Sequence, residues 1–147
     1  MLLWLTAAAY VAVSILQLML LEEPVAAWLV FVVLDPVLLA AGVYLLLKLF
    51  GKTDRFLQTA TAVLGTGAVL GLAMFLPVQW LLTLSGVPAE STAAGLIALG
   101  MVVIFALVTG RILKLATDSN LFTGVAVALT YFMVVNLLVG LIRGPGS

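Results

Sequence analysis

Val25-Ala-Ala-Trp28-Leu-Val-Phe-Val-Val-Leu-Asp35-Pro36-Val-Leu-Leu-Ala-Ala-Gly42-Val-Tyr44-Leu-Leu-Leu-Lys48-Leu49-Phe50 is the stretch whose reading decides the fold of this chain. The run is long enough to cross a bilayer, because about 20 apolar residues span roughly 30 Å of hydrocarbon. Yet a carboxylate and a helix breaker, Asp35 and Pro36, stand side by side near its middle. Every other long apolar run in the chain is uncharged through its centre. Two local structures satisfy the pair. In one, a single kinked helix carries Asp35 near mid-depth. In the other, the helix is broken, with Asp35 as N-cap and Pro36 opening a new segment. The segment from Pro36 to Phe50 is short for a span of its own, which favours the kinked helix.

The composition around this stretch leaves lipid as the only adequate solvent. Of 147 residues, 65% are hydrophobic and 8% are charged, and the mean hydropathy is +1.37. A soluble domain carries about 25% charged residues. One membrane domain, residues 1–143, fits the length. Gly144-Pro145-Gly146-Ser147 reads as a flexible tail of the kind left by cloning. The first apolar run has no basic residue before it and no convincing cleavage site, so it reads as a retained span and not a signal peptide. Net charge is zero and no basic run occurs. Nucleic acid is therefore an unsuitable partner, and strong steering by anionic lipid is not implied. Cys and His are both absent. That removes thiol redox chemistry, thiolate and imidazole metal sites, haem ligation and His proton shuttling. No cofactor is implied.

Five spans follow in order. The first runs from about Leu2 to Leu21, with Thr6, Tyr10, Ser14 and Gln17 at helical spacing on one face. In lipid that face should turn toward other helices, since an unsatisfied polar group in hydrocarbon is costly. Glu22-Glu23-Pro24 ends it. The second runs from about Val25 to Leu47, and Gly51-Lys52-Thr53-Asp54-Arg55 forms the turn after it. The third runs from about Phe56 to Leu76 and is closed by Pro77, with Gln79-Trp80 at the interface. Leu81 to Ser91 reads as a loop. The fourth runs from about Thr92 to Leu113, followed by a Thr117-Asp118-Ser119-Asn120 turn. The fifth runs from about Leu121 to Ile142. The third span is rich in small residues, and Gly67 and Gly71 form a Gly-x-x-x-Gly pair that allows close backbone approach. Gly65, Gly124 and Gly140 are further packing positions, and such small-residue faces could equally serve a homo-oligomer or a partner membrane protein.

The third span's approach, Lys48-Leu-Phe-Gly51-Lys52-Thr53-Asp54-Arg55-Phe56-Leu57-Gln58-Thr59, resembles a stretch of the Yip domain family. Members of that family place a Gly-rich basic turn before a Phe-x-Gln-Thr-like helix start. Residues 107–124, a basic-ended span followed by a polar turn and a small-residue span, are similar to the family's last two helices. The resemblance covers roughly Val37 to Leu141. It implies five spans with the N-terminus in the cytosol, a non-enzymatic role and no catalytic residues. The chain lacks the long N-terminal region of eukaryotic members, which are linked to Rab GTPases. It therefore looks like a short prokaryotic-type member, and the membrane implied is a bacterial inner membrane.

Asp35 is the sharpest functional candidate. A charge at mid-membrane costs about 2.5–3.5 kcal/mol on insertion scales and is tolerated when neutralised, paired or wetted. It reads either as a proton or cation site, which would suit a small channel or proton-coupled transporter, or as a hydrogen-bonded group at the Pro36 break. Tyr10, Ser14, Gln17, Thr66 and Asn136 are its expected partners. Asn136, inside the fifth span, reads as interhelical glue. Trp4, Trp28, Trp80 and Tyr44 read as interfacial anchors. No nucleophile–base pair or metal cluster can be assembled from the remaining residues. Lys48, Lys52 and Arg55 lie in one connection and Arg111 and Lys114 by another, so the positive-inside rule places both in the cytoplasm, with the C-terminus outside. Reporter fusions at Lys52 and at Asp118 should both report a cytoplasmic position, and an external signal at Lys52 would reverse the topology.

Overall fold

The computed structural model describes the backbone of residues 1–20, 30–86 and 91–143, and all their side chains except those of residues 20, 30, 31, 136 and 139–143. The architecture is an all-α bundle with no strand among the described residues. Five helices are named here in chain order. Helix α1 is Leu2–Leu20. Helix α2 joins a π-helical turn, Val30–Leu34, to Asp35–Leu49. Helix α3 runs from Thr53–Arg55 through Phe56–Leu70 and a second π-helical turn, Gly71–Phe75, to Leu76–Ser85. Helix α4 is Thr92–Thr117 and α5 is Leu121–Arg143. Four stretches, 2–19, 32–49, 53–85 and 92–117, are long and apolar enough to cross a membrane, and α5 contributes the shorter apolar stretch Leu121–Val135. Trp4 is 78% exposed and Phe122 is 81% exposed. Such side chains are at home against lipid and costly against water.

Asp35 and Pro36 do not break α2. Leu34, immediately before them, has φ −73° and ψ −41°, and no side chain caps the following segment. The backbone is helical on both sides, so of the two sequence readings the through-running helix is the observed one, and Asp35 is not an N-cap. The π-turn admits one extra residue just before the proline, where the ring would otherwise clash with a carbonyl one turn back.

The same device corrects the expected end of the third span. Pro77 does not close it. The Leu76 N–H reaches back to the Gly71 carbonyl across the second π-turn, and Pro77 enters at the start of the next α-helical segment, where its missing donor is tolerated. Helix α3 therefore runs 33 residues, from Thr53 to Ser85. Gln79, Trp80 and Leu81–Ser85 are helical, not loop. The true stop is Gly86, in the left-handed conformation at φ 63°. Residues 22–24, 28, 88 and 90 lie outside the described residues.

Small residues set the crossings. Helix α1 lies along α3 in the same direction: a side chain on Gly65 would meet Thr6, one on Gly67 would meet the Tyr10 ring at 2.6 Å, and one on Gly71 would meet Val13 at 2.6 Å. The polar face of α1 thus turns toward α3, and Gly67 and Gly71 are used inside the bundle. Helices α4 and α5 cross still more tightly. A Cβ on Gly110 would lie 2.7 Å from the Val125 backbone nitrogen, and one on Gly124 would collide with the Gly110 carbonyl. Gly140 lies in α5 beyond the described side chains.

The buried core gathers toward the α2–α3 and α4–α5 turns. Leu39, Val43, Leu46 and Leu47 of α2 pack on Val63 and Leu64 of α3 and on Leu113 and Ala116 of α4. Both turns lie at this end and are tied together: Asp118 accepts from Lys52 at 2.8 Å and from Arg55 at 3.2 Å. Arg55 also donates to the Leu115 and Ala116 carbonyls, at 3.2 and 3.3 Å. It thereby satisfies the end of α4, whose last carbonyls have no partner within the helix. Gly51, at φ 66°, ends α2 in a Schellman motif, with Lys52 N–H to the Leu47 carbonyl and Gly51 N–H to the Lys48 carbonyl. Asn120 starts α5 by accepting from the Thr123 N–H at 2.7 Å, and Ser91 starts α4 by accepting from the Ala94 N–H.

Gly124→Ala should destabilise the bundle by about 1–3 kcal/mol, the usual cost of overpacking, because backbone must move to admit the methyl. Gly95→Ala, which meets nothing within 4 Å, should be neutral or slightly stabilising, as alanine is the better helix former. Thermal unfolding in detergent measures both, and equal effects would refute the close α4–α5 crossing.

Candidate functional site

Three helices meet at Asp35. Its carboxyl sits at the first position after the π-turn of α2 and is 9% exposed. Tyr10 of α1 donates its hydroxyl to Oδ2 at 2.5 Å. Tyr131 of α5 directs its hydroxyl at Oδ1, also at 2.5 Å, and lies 3.0 Å from the Asp35 backbone carbonyl. Both separations lie at the short end of the range for O–H···O bonds. Both carboxyl oxygens are thus engaged, by donors from two helices other than its own. Among the described residues no ion pair involves Asp35.

The Tyr10 ring needs space that a glycine provides. The Tyr10 ring passes over Gly67, and Phe105 of α4 lies just beyond it. The Tyr131 ring rests 3.9 Å from where a Cβ on Gly42 would stand. Pro36, at the second helical position, contributes through the backbone by forcing the π-turn that precedes Asp35.

The remaining sequence candidates sit elsewhere. The Ser14 hydroxyl donates to the Tyr10 carbonyl on its own helix at 3.0 Å. Gln17 lies beside Gly71, next to the second π-turn. Neither Ser14, Gln17 nor Thr66 forms the Asp35 bonds, so of these expected partners only Tyr10 is observed. Asn136 is helical in α5, and its side chain is outside those described. Tyr131 was missed by sequence reading, although a usable signal existed. Tyr10, Asp35 and Tyr131 each stand near the middle of their own spans, and residues at equal depth on neighbouring helices can meet.

A cavity of about 40 Å³ lies beside the Tyr131 ring, among α2, α3, α4 and α5. Its walls include Leu39, Gly42, Val43, Phe105 and Thr109, and Asp35 is not among them. The Thr109 hydroxyl is buried and has no hydrogen-bond partner among the described residues. A water needs at least two polar partners to be held in such a space, and these apolar walls offer little beyond that hydroxyl.

At the core end, the Asp118 carboxyl is held below its ordinary range by the hydrogen bond from Lys52, then by the one from Arg55. Asp118 also adopts φ 54°. A non-glycine residue rarely takes this left-handed conformation, and Asp does so more readily than most. Its contribution is complete above the unfolded-state range and is lost as pH falls through the lowered folded-state value. Tyr44, expected as an interfacial anchor, also makes an edge-to-face contact with Phe56 at 5.6 Å between ring centres, linking α2 to α3.

Compared with known protein families, curated proteins and solved structures, the chain gives no match.

Tyr131→Phe and Tyr10→Phe each remove one donor from a buried carboxyl and should each cost about 1–3 kcal/mol. Thr109→Val removes an unpartnered hydroxyl at nearly constant shape and should be neutral or stabilising. Unfolding in mixed detergent distinguishes them. A Tyr131→Phe variant as stable as the parent would mean that the Asp35 bonds do not hold α5 in place.

Proposed function

We propose that this chain is a non-enzymatic, multi-pass protein of the Yip-like type in a bacterial inner membrane, acting through contacts with lipids or with the helices of partner proteins. The observation that carries this reading is the occupancy of Asp35. Each carboxyl oxygen accepts from a tyrosine, Tyr10 or Tyr131, and the residue is buried, so the group joins three helices and presents little surface to a substrate. A five-helix bundle supports the same reading, as does the Gly51-to-Arg55 turn leading into Phe56, the stretch that carries the family resemblance. A chain without Cys or His has few means of nucleophilic or metal-assisted catalysis. For a second copy or a partner helix, the helical glycines left open among the described residues are Gly95 and Gly100 of α4, which meet nothing within 4 Å.

One observation favours a second reading, a small proton-coupled transporter. An ionisable residue lies within a span and is bonded to two hydroxyls that could relay a proton. Asp35→Asn separates the two, because it keeps shape and removes titration. Under the contact reading the Asn variant inserts and folds with only a modest loss of stability, and neither protein conducts when reconstituted in vesicles. Under the transporter reading the parent shows flux driven by a pH gradient and the Asn variant does not. Such flux, lost in Asp35→Asn, would overturn the contact reading.

A further inference from the structure

The basic side chains form no run in the sequence, yet the fold gathers them. Lys48, Lys52, Arg55, Arg111 and Lys114 are five of the six Lys and Arg residues, and all stand at the end where α2 and α4 finish. Asp54 and Asp118 are the acidic residues there, which leaves an excess of three positive charges. The pairing is selective. Asp118 follows Lys114 by one helical turn and could have paired with it, but both its oxygens are taken by Lys52 and Arg55. Among the described residues no ion pair involves Arg111 or Lys114.

These two free cations share one face of α4. Ile104, Leu107, Arg111, Lys114 and Leu115 are all exposed, and their spacing places them on a single stripe of the helix. The opposite side, including Thr109, Leu113 and Ala116, is buried in the bundle. The exposed stripe is therefore the lipid-facing one. Arg111 lies seven residues before Asp118, about 10 Å along the axis, and long basic side chains at such a depth extend toward the headgroups. Apolar Ile104 and Leu107 line the membrane below them, where acyl chains run.

We infer that Arg111 and Lys114 form a seat for the phosphate of an anionic phospholipid, whose chains lie along Ile104 and Leu107. The cations stand at headgroup level, the apolar contacts lie beneath, and among the described residues no carboxylate pairs with either cation. This deepens the contact-mediated reading above by naming a lipid class and a place for it. It stands or falls independently of Asp35, because lipid retention and proton flux are separate measurements.

The test uses the full chain in mild detergent, with equal amounts of phosphatidylglycerol and phosphatidylcholine, and counts retained lipids by native mass spectrometry. The parent should retain phosphatidylglycerol with a preference on the order of tenfold, given the attraction of two basic residues near an anionic surface. The pair Arg111→Gln with Lys114→Gln should fall to near parity. The charge-preserving pair Arg111→Lys with Lys114→Arg should keep the preference, which separates loss of charge from loss of fold. Lys48→Gln, on α2, should keep it as well. Equal retention of the two lipids by the parent would overturn the assignment. So would an undiminished preference in the double Gln variant, or a loss in Lys48→Gln as large as in that variant.

Discussion

A carboxyl group in hydrocarbon must find hydrogen-bond donors, and much of this bundle follows from how Asp35 finds them. Placing a charge at mid-membrane costs about 2.5–3.5 kcal/mol on insertion scales. With no Lys or Arg paired to it among the described residues, Asp35 takes two phenol hydroxyls, one from α1 and one from α5. That choice constrains two other places. Tyr10 can reach only if its ring passes over a residue without a side chain, which is Gly67. The α2 backbone must then carry Asp35 past Pro36 without ending the helix, which the Val30–Leu34 π-turn allows.

The bond network at the other end of the core is of a different kind. Asp118 is exposed, and its partners Lys52 and Arg55 remain partly in solvent. Ion pairs in water contribute little to stability. Their effect here is geometric. Arg55 holds the carbonyls of Leu115 and Ala116 as well as Asp118, so the start of α3 is registered against the end of α4. Two short turns then close against each other, and the largest fully buried side chains among the described residues, Leu47 and Val63, lie just inside them.

The class of fold was legible in the sequence because lipid imposes a simple rule: a long apolar stretch must be helical to satisfy its backbone. The starts and stops at Gly51, Ser91 and Asn120 were legible for an equally local reason, since a cap is written within a few residues. Pro77 was not legible as a continuation. Proline ends helices in most settings, and only the extra residue of the Gly71–Phe75 turn lets this one pass. The candidate site was half legible. Asp35 announced itself by charge, and Tyr10 by sharing a face with Thr6, Ser14 and Gln17. Tyr131 lies 96 residues from Asp35 in sequence, and nothing local marks it as a partner. Only the alignment of three span centres at one depth would have shown it. Side chains such as Ser14 resolved differently because a hydroxyl in a helix has a nearer acceptor, the carbonyl one turn back, and Ser14 takes it.

The distribution of burial adds a last step. The segment Leu76–Ser85 of α3 has no buried residue, and over residues 92–100 of α4 only Ala94 is buried. Below them, toward the Asp118 turn, side chains interlock. The two π-turns stand between these regimes, and both touch α1. Helix α1 also carries Tyr10 to Asp35 and lies along the glycines of α3, so a single helix braces the bundle at the level where its character changes. In water the outer halves of α3 and α4 would have to collapse together to hide their apolar surface. In a membrane no such force acts, because acyl chains are as apolar as leucine. The bundle can therefore be closed by polar clasps at its middle and one end and still leave long apolar faces to lipid. That division of labour makes contact with the bilayer part of how the fold is completed.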